Sequence, residues 1–502
     1  VPSGRRAAQL QLVEVDETSA TPDTPGRPPV VPAPRRGRGA PPHGPGSQDP
    51  ADEASGGPDD AAPPSHRRRR TVVAVVAAAV AVAVVAGLAA LDADRRERAY
   101  ERAAAVPGLL TPVDGPVHVR WRAAAKPGAG SVLVADDTVV LVTQDGAGRH
   151  VTGYEAETGT QRWTARLAPA QAGAQDVPVQ CPSWRDGRVG PVVLCVTGLL
   201  EPVYVEGESV SAGLRVVALD AVTGRELGSW TRAGTVAGFG RVGDDMVVAV
   251  TEPDGQTAVE RRDGRTGDVR WSYRSRQYLA SALAIERSTM EMTDRVAVVR
   301  GAELAVLRLD DGRVLASENR GQAIALLAYR DGYAWWTPAG NGRLVDGEGA
   351  EGPALPAVPS RLDVDDDSAL EVVVVSTGLA VRALDAESGV ERWSLGLRTA
   401  PRAVVDGTLL VSDGGRYAAY DVRTGTPLWS HDEDAPDWPP LTDGSLVLTA
   451  AQDHGVTTLV ARGLRDGAQR WSVELPRQVV HLAAVGGLIV GRTSDGVVVL
   501  GP

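Results

Sequence analysis

The residues best placed to do chemistry lie in the stretch DVDDDSALEVVVV at positions 363–375. Asp363, Asp365 and Asp367 stand at alternate positions, and Glu371 follows four further on. Hard oxygen ligands at such spacing can wrap one Ca²⁺, which makes these four side chains a candidate calcium site of structural character. The competing reading is an acidic, solvated turn ahead of a buried strand. The two cysteines, Cys181 and Cys195, can close a small loop if the compartment is oxidising. The seven histidines are scattered, with no His-x-x-x-His pair or other metal-ligand spacing. No Gly-x-Ser-x-Gly nucleophile elbow occurs. GFGRVG at 238–243 has the glycines of a dinucleotide-binding loop, but it runs into the apolar strand DDMVVAV where that loop must open a helix. Catalytic residues and cofactor-binding residues are therefore assigned to none of these motifs.

A repeat must position whatever site the chain carries. Its unit is a short apolar strand, an acidic residue, a Thr-Gly turn and a Trp four residues after the Gly. Copies are YEAETGTQRW (154–163), ERRDGRTGDVRW (260–271), RALDAESGVERW (382–393), AYDVRTGTPLW (419–429) and GLRDGAQRW (463–471). Looser copies lie at 217–230, with its Trp two residues late, and at 305–317, with Ala316 in the Trp position. The stretch 343–354 keeps only Asp346 and the turn composition. Each part has a physical role. Gly supplies the positive φ of a tight hairpin. Asp accepts backbone N–H groups across the turn. Trp buries a large ring where one sheet packs on the next. The turn glycines recur at intervals of 36 to 45 residues, with one interval of 65 that spans DVPVQCPSWRDGRVGPVVLC (176–195), read as an insertion. A period near 40 is that of a four-stranded propeller blade. PVHVRWR (116–122) carries a Trp strand with no inner strands before it, and 478–500 carries strands with no Trp strand after them. The first is expected to complete the last and close the ring. Eight blades is the preferred count, with seven and nine open and the 343–354 copy the doubtful one.

Ala-x-Asp-x-x-Thr-Gly-x-x-x-Trp resembles the repeat of the PQQ-like, or quinoprotein dehydrogenase-like, β-propellers. Ala419–Trp429 fits at every defined position, and Ala383–Trp393 departs only in Ser388. The resemblance covers about residues 116–502 and implies an all-β fold. That family includes quinone-dependent dehydrogenases and non-enzymatic scaffolds such as the lipoprotein subunit of the outer-membrane barrel assembly machinery. Its dehydrogenases pack two adjacent cysteines on the quinone, whereas thirteen residues separate Cys181 from Cys195. A structural disulfide is the expectation for them. The acidic stretch at 363–371 also resembles the calcium loop of integrin-type FG-GAP repeats, with Ser368 in place of Gly and Glu371 in place of the last Asp.

The N-terminal quarter differs in kind. Residues 1–66 are rich in Pro, Gly and Ala, cannot bury enough apolar surface to fold, and read as a disordered cytoplasmic tail. Arg67–Arg70 flank an uncharged run, Thr71–Leu91, long enough as a helix (about 32 Å) to cross a bilayer. Residues 92–115 read as a charged juxtamembrane helix and linker, and 116–502 as the propeller. The contiguous arginines favour a cytoplasmic N-terminus, although Arg95, Arg96, Arg98 and Arg102 give the other flank an equal count. The Arg-, Ala- and Val-rich composition suits a membrane-tethered actinobacterial member of the family. A net charge of -12 argues against a general nucleic-acid binder. The expected role is a non-catalytic propeller outside the cytoplasm that binds an envelope protein, peptide or glycan. The alternative is a PQQ-dependent dehydrogenase acting on alcohols or sugars.

Overall fold

The computed structural model describes residues 97–502, apart from residue 99 and the stretches 125–131, 146–147, 170–178, 184–186, 199–202, 206–207, 211–212, 280–287, 320–324, 338–341, 397, 414, 433–435 and 437. The tail, the basic flank Arg67–Arg70 and the apolar run Thr71–Leu91 lie outside the described residues. Among the described residues no helix is long and apolar enough to cross a membrane.

These residues form nine antiparallel blades, one more than the repeat count favoured. Blades 1 to 8 span residues 132–169, 179–233, 235–278, 289–319, 325–355, 359–395, 400–432 and 441–474. Strands within a blade are lettered A (innermost) to D (outermost). The extra blade is the doubtful copy. Gly342–Val345 and Glu351–Leu355 pair as strands C and D of blade 5, although no Trp stands between them and the next blade. Asp346 holds their turn by accepting the N–H groups of Glu348 (2.9 Å) and Ala350 (2.8 Å). The Asp and the turn composition were thus enough to make a hairpin without the ring.

Blade 9 closes the circle. Val479–Val485, Leu488–Thr493 and Gly496–Gly501 supply strands A to C, and His118–Ala124, from the other end of the domain, pairs with Gly496–Gly501 as strand D. The expected closure by both ends is what forms. The stretch 176–195 is not an insertion. It holds strands A and B of blade 2 (Val179–Gln180 and Val192–Gly198), and the surplus length is divided between the connection joining them and a segment after them. Part of it is Arg188–Val189, which pairs in parallel with strand A of blade 1, and part is a small hairpin, Val203–Val205 with Glu208–Val210.

Indole rings tie the blades together. The Trp of strand D in one blade lies under the Gly of the next blade's C–D turn and donates its Nε1–H to a carbonyl there. Trp121 donates to Ala156 (2.9 Å), Trp163 to Ala221 (2.8 Å), Trp230 to Gly264 (3.2 Å), Trp271 to Leu309 (2.7 Å), Trp393 to Val422 (2.9 Å) and Trp429 to Leu464 (2.8 Å). Glycine is required in that turn twice over. Gly467 has φ of 63°, and a Cβ there would lie 2.5 Å from Cγ of Trp429. The turn Asp does its part as well. Asp421 Oδ1 accepts the N–H groups of Arg423 (3.0 Å) and Thr424 (2.9 Å) and the Thr424 hydroxyl (3.0 Å). The repeat motif is therefore an interblade latch rather than a chemical site.

The latch fails in three places, each for a visible reason. Ala316 offers no ring to Gly349, whose nearest neighbour is Leu315. At Gly389 the neighbours are Pro353 and Ala354. Trp471 keeps its ring, but blade 9 has no C–D turn, because its strands C and D come from opposite ends of the domain. Trp471 Nε1 is accordingly buried without a hydrogen-bond partner.

Candidate functional site

The two ring-less latches are consecutive, at the junctions of blades 4, 5 and 6, and the described cleft opens on the inner strands of those three blades. Its origin is a broken strand. In PALPAVPSR (353–361) proline stands at 353, 356 and 359, and proline cannot donate to a ladder. Blade 6 consequently forms only a three-stranded sheet, Val372–Ser376, Val381–Asp385 and Glu391–Leu395. Where its strand A should run there is a single bridge, Pro359 to Val375. The chain then leaves blade 6, and Val364–Asp365 pairs in parallel with Ala403–Val404 of blade 7. The gap left behind is a cavity of about 370 Å³.

Val364 is buried against blade 7, with Ala403 and Val405. Ser360, Arg361, Leu362, Asp363 and Asp365 line the cleft. Facing them are Glu291 and Met292 from blade 4 and Ala328, Tyr329 and Arg330 from blade 5, with Pro107 at the rim. Glu291 takes both Arg300 (3.1 Å) and Arg361. Arg330 donates Nη1 to the Leu370 carbonyl and Nη2 to the Val372 carbonyl, both at 2.9 Å, which straps blade 5 to blade 6 in place of an indole. Its Nε lies 3.5 Å from Asp365 Oδ2. Burial raises the pKa of both Asp363 and Asp365, with Arg402 and Arg330 respectively opposing it. Burial likewise pushes the Tyr329 phenol up.

The four residues proposed as calcium ligands are not brought together. Asp363 and Asp365 face the cleft and the arginines Arg402 (4.0 Å) and Arg330. Asp367 has φ of 59° and donates its N–H to Asp365 Oδ1 (3.2 Å). Glu371 turns the other way and pairs with Arg423; a hydrogen bond from its own backbone N–H, and then Arg423, lower its pKa. The other side chains of the turn also work for the fold. Asp366 accepts the N–H of Asp406 (2.8 Å), and the Ser368 hydroxyl oxygen accepts that of Gly407 (2.8 Å). Among the described residues no group of three or more His, Cys, Asp or Glu side chains is placed to hold a metal. The acidic spacing is real, but arginines answer it one by one.

Cys181 and Cys195 are joined, with Cα atoms 4.0 Å apart, as a cross-link between strands A and B of blade 2. Both are buried in the apolar cluster between blades 1 and 2. A quinone site of the dehydrogenase kind, with a cysteine pair packed on the ring, does not fit these residues, because the two sulfurs are enclosed between blades. GFGRV of GFGRVG lies within a strand, Thr235–Val242, and Gly243 begins the turn after it.

The N-terminal segment belongs to this face. Leu109 and Leu110 are fully buried, and Leu110 N donates to the Thr442 carbonyl (2.8 Å). Val113 N donates to Asp443 Oδ2 (2.9 Å), and Thr111 N to the Gly487 carbonyl (2.9 Å). Composition alone reads residues 106–115 as a linker. Their leucines and valines are the signal that they dock.

Ring closure, turn-bound aspartates and indole latches define a PQQ-type β-propeller. The chain belongs to the family described as outer membrane protein assembly factor BamB, whose profile matches residues 109–189, 184–330 and 364–501. The unmatched stretch between them, 331–363, holds most of blade 5 and the broken strand of blade 6, where the latches lack their rings. Among solved structures, BamB from Moraxella catarrhalis is 15% identical, with a TM-score of 0.40, covering 77% of this chain and 99% of that one. A quinohemoprotein alcohol dehydrogenase from Comamonas testosteroni is 14% identical, with a TM-score of 0.35 and 76% of each chain covered. Sqt1 from Saccharomyces cerevisiae is 10% identical, with a TM-score of 0.36, covering 74% and 99%. No curated protein sequence gives a significant match.

Proposed function

We propose that the chain is a non-catalytic scaffold, tethered by Thr71–Leu91, whose propeller binds a protein partner at the cell envelope. The observation that carries this reading is membership of the family described as outer membrane protein assembly factor BamB. The cleft adds to it. Its charges are spent on one another and on backbone carbonyls across three blades, which is the economy of a binding surface. A disulfide in blade 2 suits an oxidising compartment, and so supports placing the propeller outside the cytoplasm. The apolar run and its four contiguous arginines supply the tether and its orientation.

Two experiments test the reading. Protease added to intact cells should degrade the propeller while leaving a tag at the N-terminus protected, and the reverse pattern would refute the topology. Reconstitution of the purified protein with pyrroloquinoline quinone and Ca²⁺ should give neither bound quinone absorbance nor alcohol- or sugar-dependent dye reduction. Both signals together would replace the scaffold with a dehydrogenase.

A further inference from the structure

The chain enters the ring on one face, and only a short stretch separates that entry from Thr71–Leu91. Helical residues 97–98 and 100–105 lead into the docked segment. Ala103 is fully buried with Leu109 and with Val405, Val447 and Leu464 of blades 7 and 8. The N–H groups of Leu110 and Thr111 then reach the carbonyls of Thr442 and Gly487, at the A–B turns of blades 8 and 9. In blades 7 and 8 the C–D turn donates a backbone N–H to the A–B turn, Val422 to Gly407 (3.0 Å) and Leu464 to Ser445 (2.9 Å), and blades 1, 3 and 4 repeat the bond. The A–B and C–D turns therefore share one face of the ring, and the B–C turns lie on the other. The cleft opens on the first of these faces, with Pro107 at its rim and Arg330, from the A–B turn of blade 5, in its wall.

Chain length decides which face looks at the bilayer. Five residues, 92–96, join Leu91 to Glu97. At full extension the six steps between those two Cα atoms cover about 22 Å, part of which crosses the headgroup layer. A blade is longer than that. The eight-residue strand Leu446–Asp453 runs about 27 Å from its A–B end to its B–C end. The tether is too short to pass around the ring and present the B–C turns to the membrane. We propose that the A–B and C–D turn face of blades 7 to 9 is apposed to the bilayer surface, with the exposed helix residues Arg98, Tyr100 and Arg102 among the lipid headgroups. A phenol and guanidinium groups suit that layer, the first by its amphipathic ring and the others by bonding phosphate. Glu97 and Glu101 offset the two arginines one for one. Reach, rather than attraction to anionic lipid, therefore sets the apposition. The proposal rests on Thr71–Leu91 as the span and deepens the scaffold reading, because a partner that uses the cleft then approaches it from the membrane side.

The test uses the full-length protein in phosphatidylcholine vesicles that carry an acceptor dye on a trace of the lipid headgroups. A membrane-impermeant donor dye labels Ala468→Cys or Asp453→Cys. Both native cysteines are in the disulfide, so the introduced thiol is the only free one. Ala468 is exposed at the C–D turn of blade 8, and Asp453 is exposed at the B–C turn of the same blade. Energy transfer should be several-fold greater from A468C than from D453C, with both variants melting as the wild type does. Equal transfer, or more from D453C, would overturn the proposal. Phosphatidylglycerol or high salt should leave the ratio unchanged, and a ratio lost in high salt would overturn reach as its cause. A linker of about twenty glycine and serine residues inserted after Arg96 adds about 25 Å and should bring the two yields together. A ratio that survives the linker would likewise overturn it. Flotation of the vesicles in alkaline carbonate separates the two readings. Protein that fails to float refutes the span and the proposal with it, whereas floating protein with equal transfer refutes the proposal alone.

Discussion

Removing one indole N–H should reveal how the ring is held, because the protein contains its own control. Trp429 is 8% exposed and donates to the Leu464 carbonyl at 2.8 Å. Trp429→Phe keeps an aromatic ring under Gly467 but deletes the donor. Leaving a buried carbonyl without its partner costs about 1–3 kcal/mol, and the smaller ring gives up about 1 kcal/mol of apolar burial. The sum is about 2–4 kcal/mol. Trp471 occupies the same strand position one blade on, and its Nε1 has no partner because blade 9 lacks the turn that would supply one. Trp471→Phe loses ring area only, and removing an unpaired N–H returns part of that. It should cost no more than about 1 kcal/mol. The assay is guanidinium denaturation followed by far-ultraviolet circular dichroism, comparing midpoints at equal slope. A penalty for W471F equal to that for W429F would refute the latch and attribute the stability to ring burial alone.

Other outcomes follow from the same contacts. Cys181→Ser with Cys195→Ser should lower stability by about 3 kcal/mol, the value expected for a closed loop of about 15 residues, read as a fall in the denaturation midpoint. Gly267→Ala should unfold at a markedly lower temperature than the wild type, since its φ is 78° and a Cβ would meet the Trp230 ring at 2.6 Å. Acid should loosen the ring through its turns. Hydrogen bonds from Thr223, Thr266 and Ser388 depress the pKa values of Asp220, Asp263 and Asp385. Depressed carboxylates stabilise fully above their unfolded pKa of about 4 and lose that contribution as pH falls through the lower folded values. The melting temperature should therefore be flat from these groups above about pH 5 and fall steeply below about pH 4. Millimolar calcium should leave the melting temperature unchanged, because Arg330, Arg402 and Arg423 stand where the ion's charge would be needed. A rise abolished by Asp365→Asn would contradict that account.

The fold was legible because the latch is local. Asp, Gly and Trp within eleven residues are enough to place a turn, its handedness and the ring that the preceding blade slides beneath it. The count fell one short because blade 5 keeps the turn without the ring, and a repeat defined by Trp undercounts where polar ties such as Arg308 to Glu348 (2.8 Å) take over. The cleft was not legible in the same way. Its prolines at 353, 356 and 359 announce a broken strand, but only the ring brings Glu291, Arg330 and Asp363 together across three blades. The acidic run lies at the cleft, but its four carboxylates do not converge there. Spacing shows which carboxylates alternate along a strand, and it cannot show the arginines that other blades deliver to them. The cysteines were readable as a pair, yet their strand neighbours, Val179–Gln180 and Val192–Gly198, are what make the pair a cross-strand staple rather than a decoration.

The claim that matters most is that this propeller works by holding a partner at its cleft face. A photoreactive amino acid placed at Arg361, which is 62% exposed at the cleft, tests it in living cells. The account predicts one reproducible crosslinked envelope protein from Arg361 and none from the exposed Asp453 outside the cleft. No adduct from Arg361, or the same adduct in equal yield from Asp453, would contradict it.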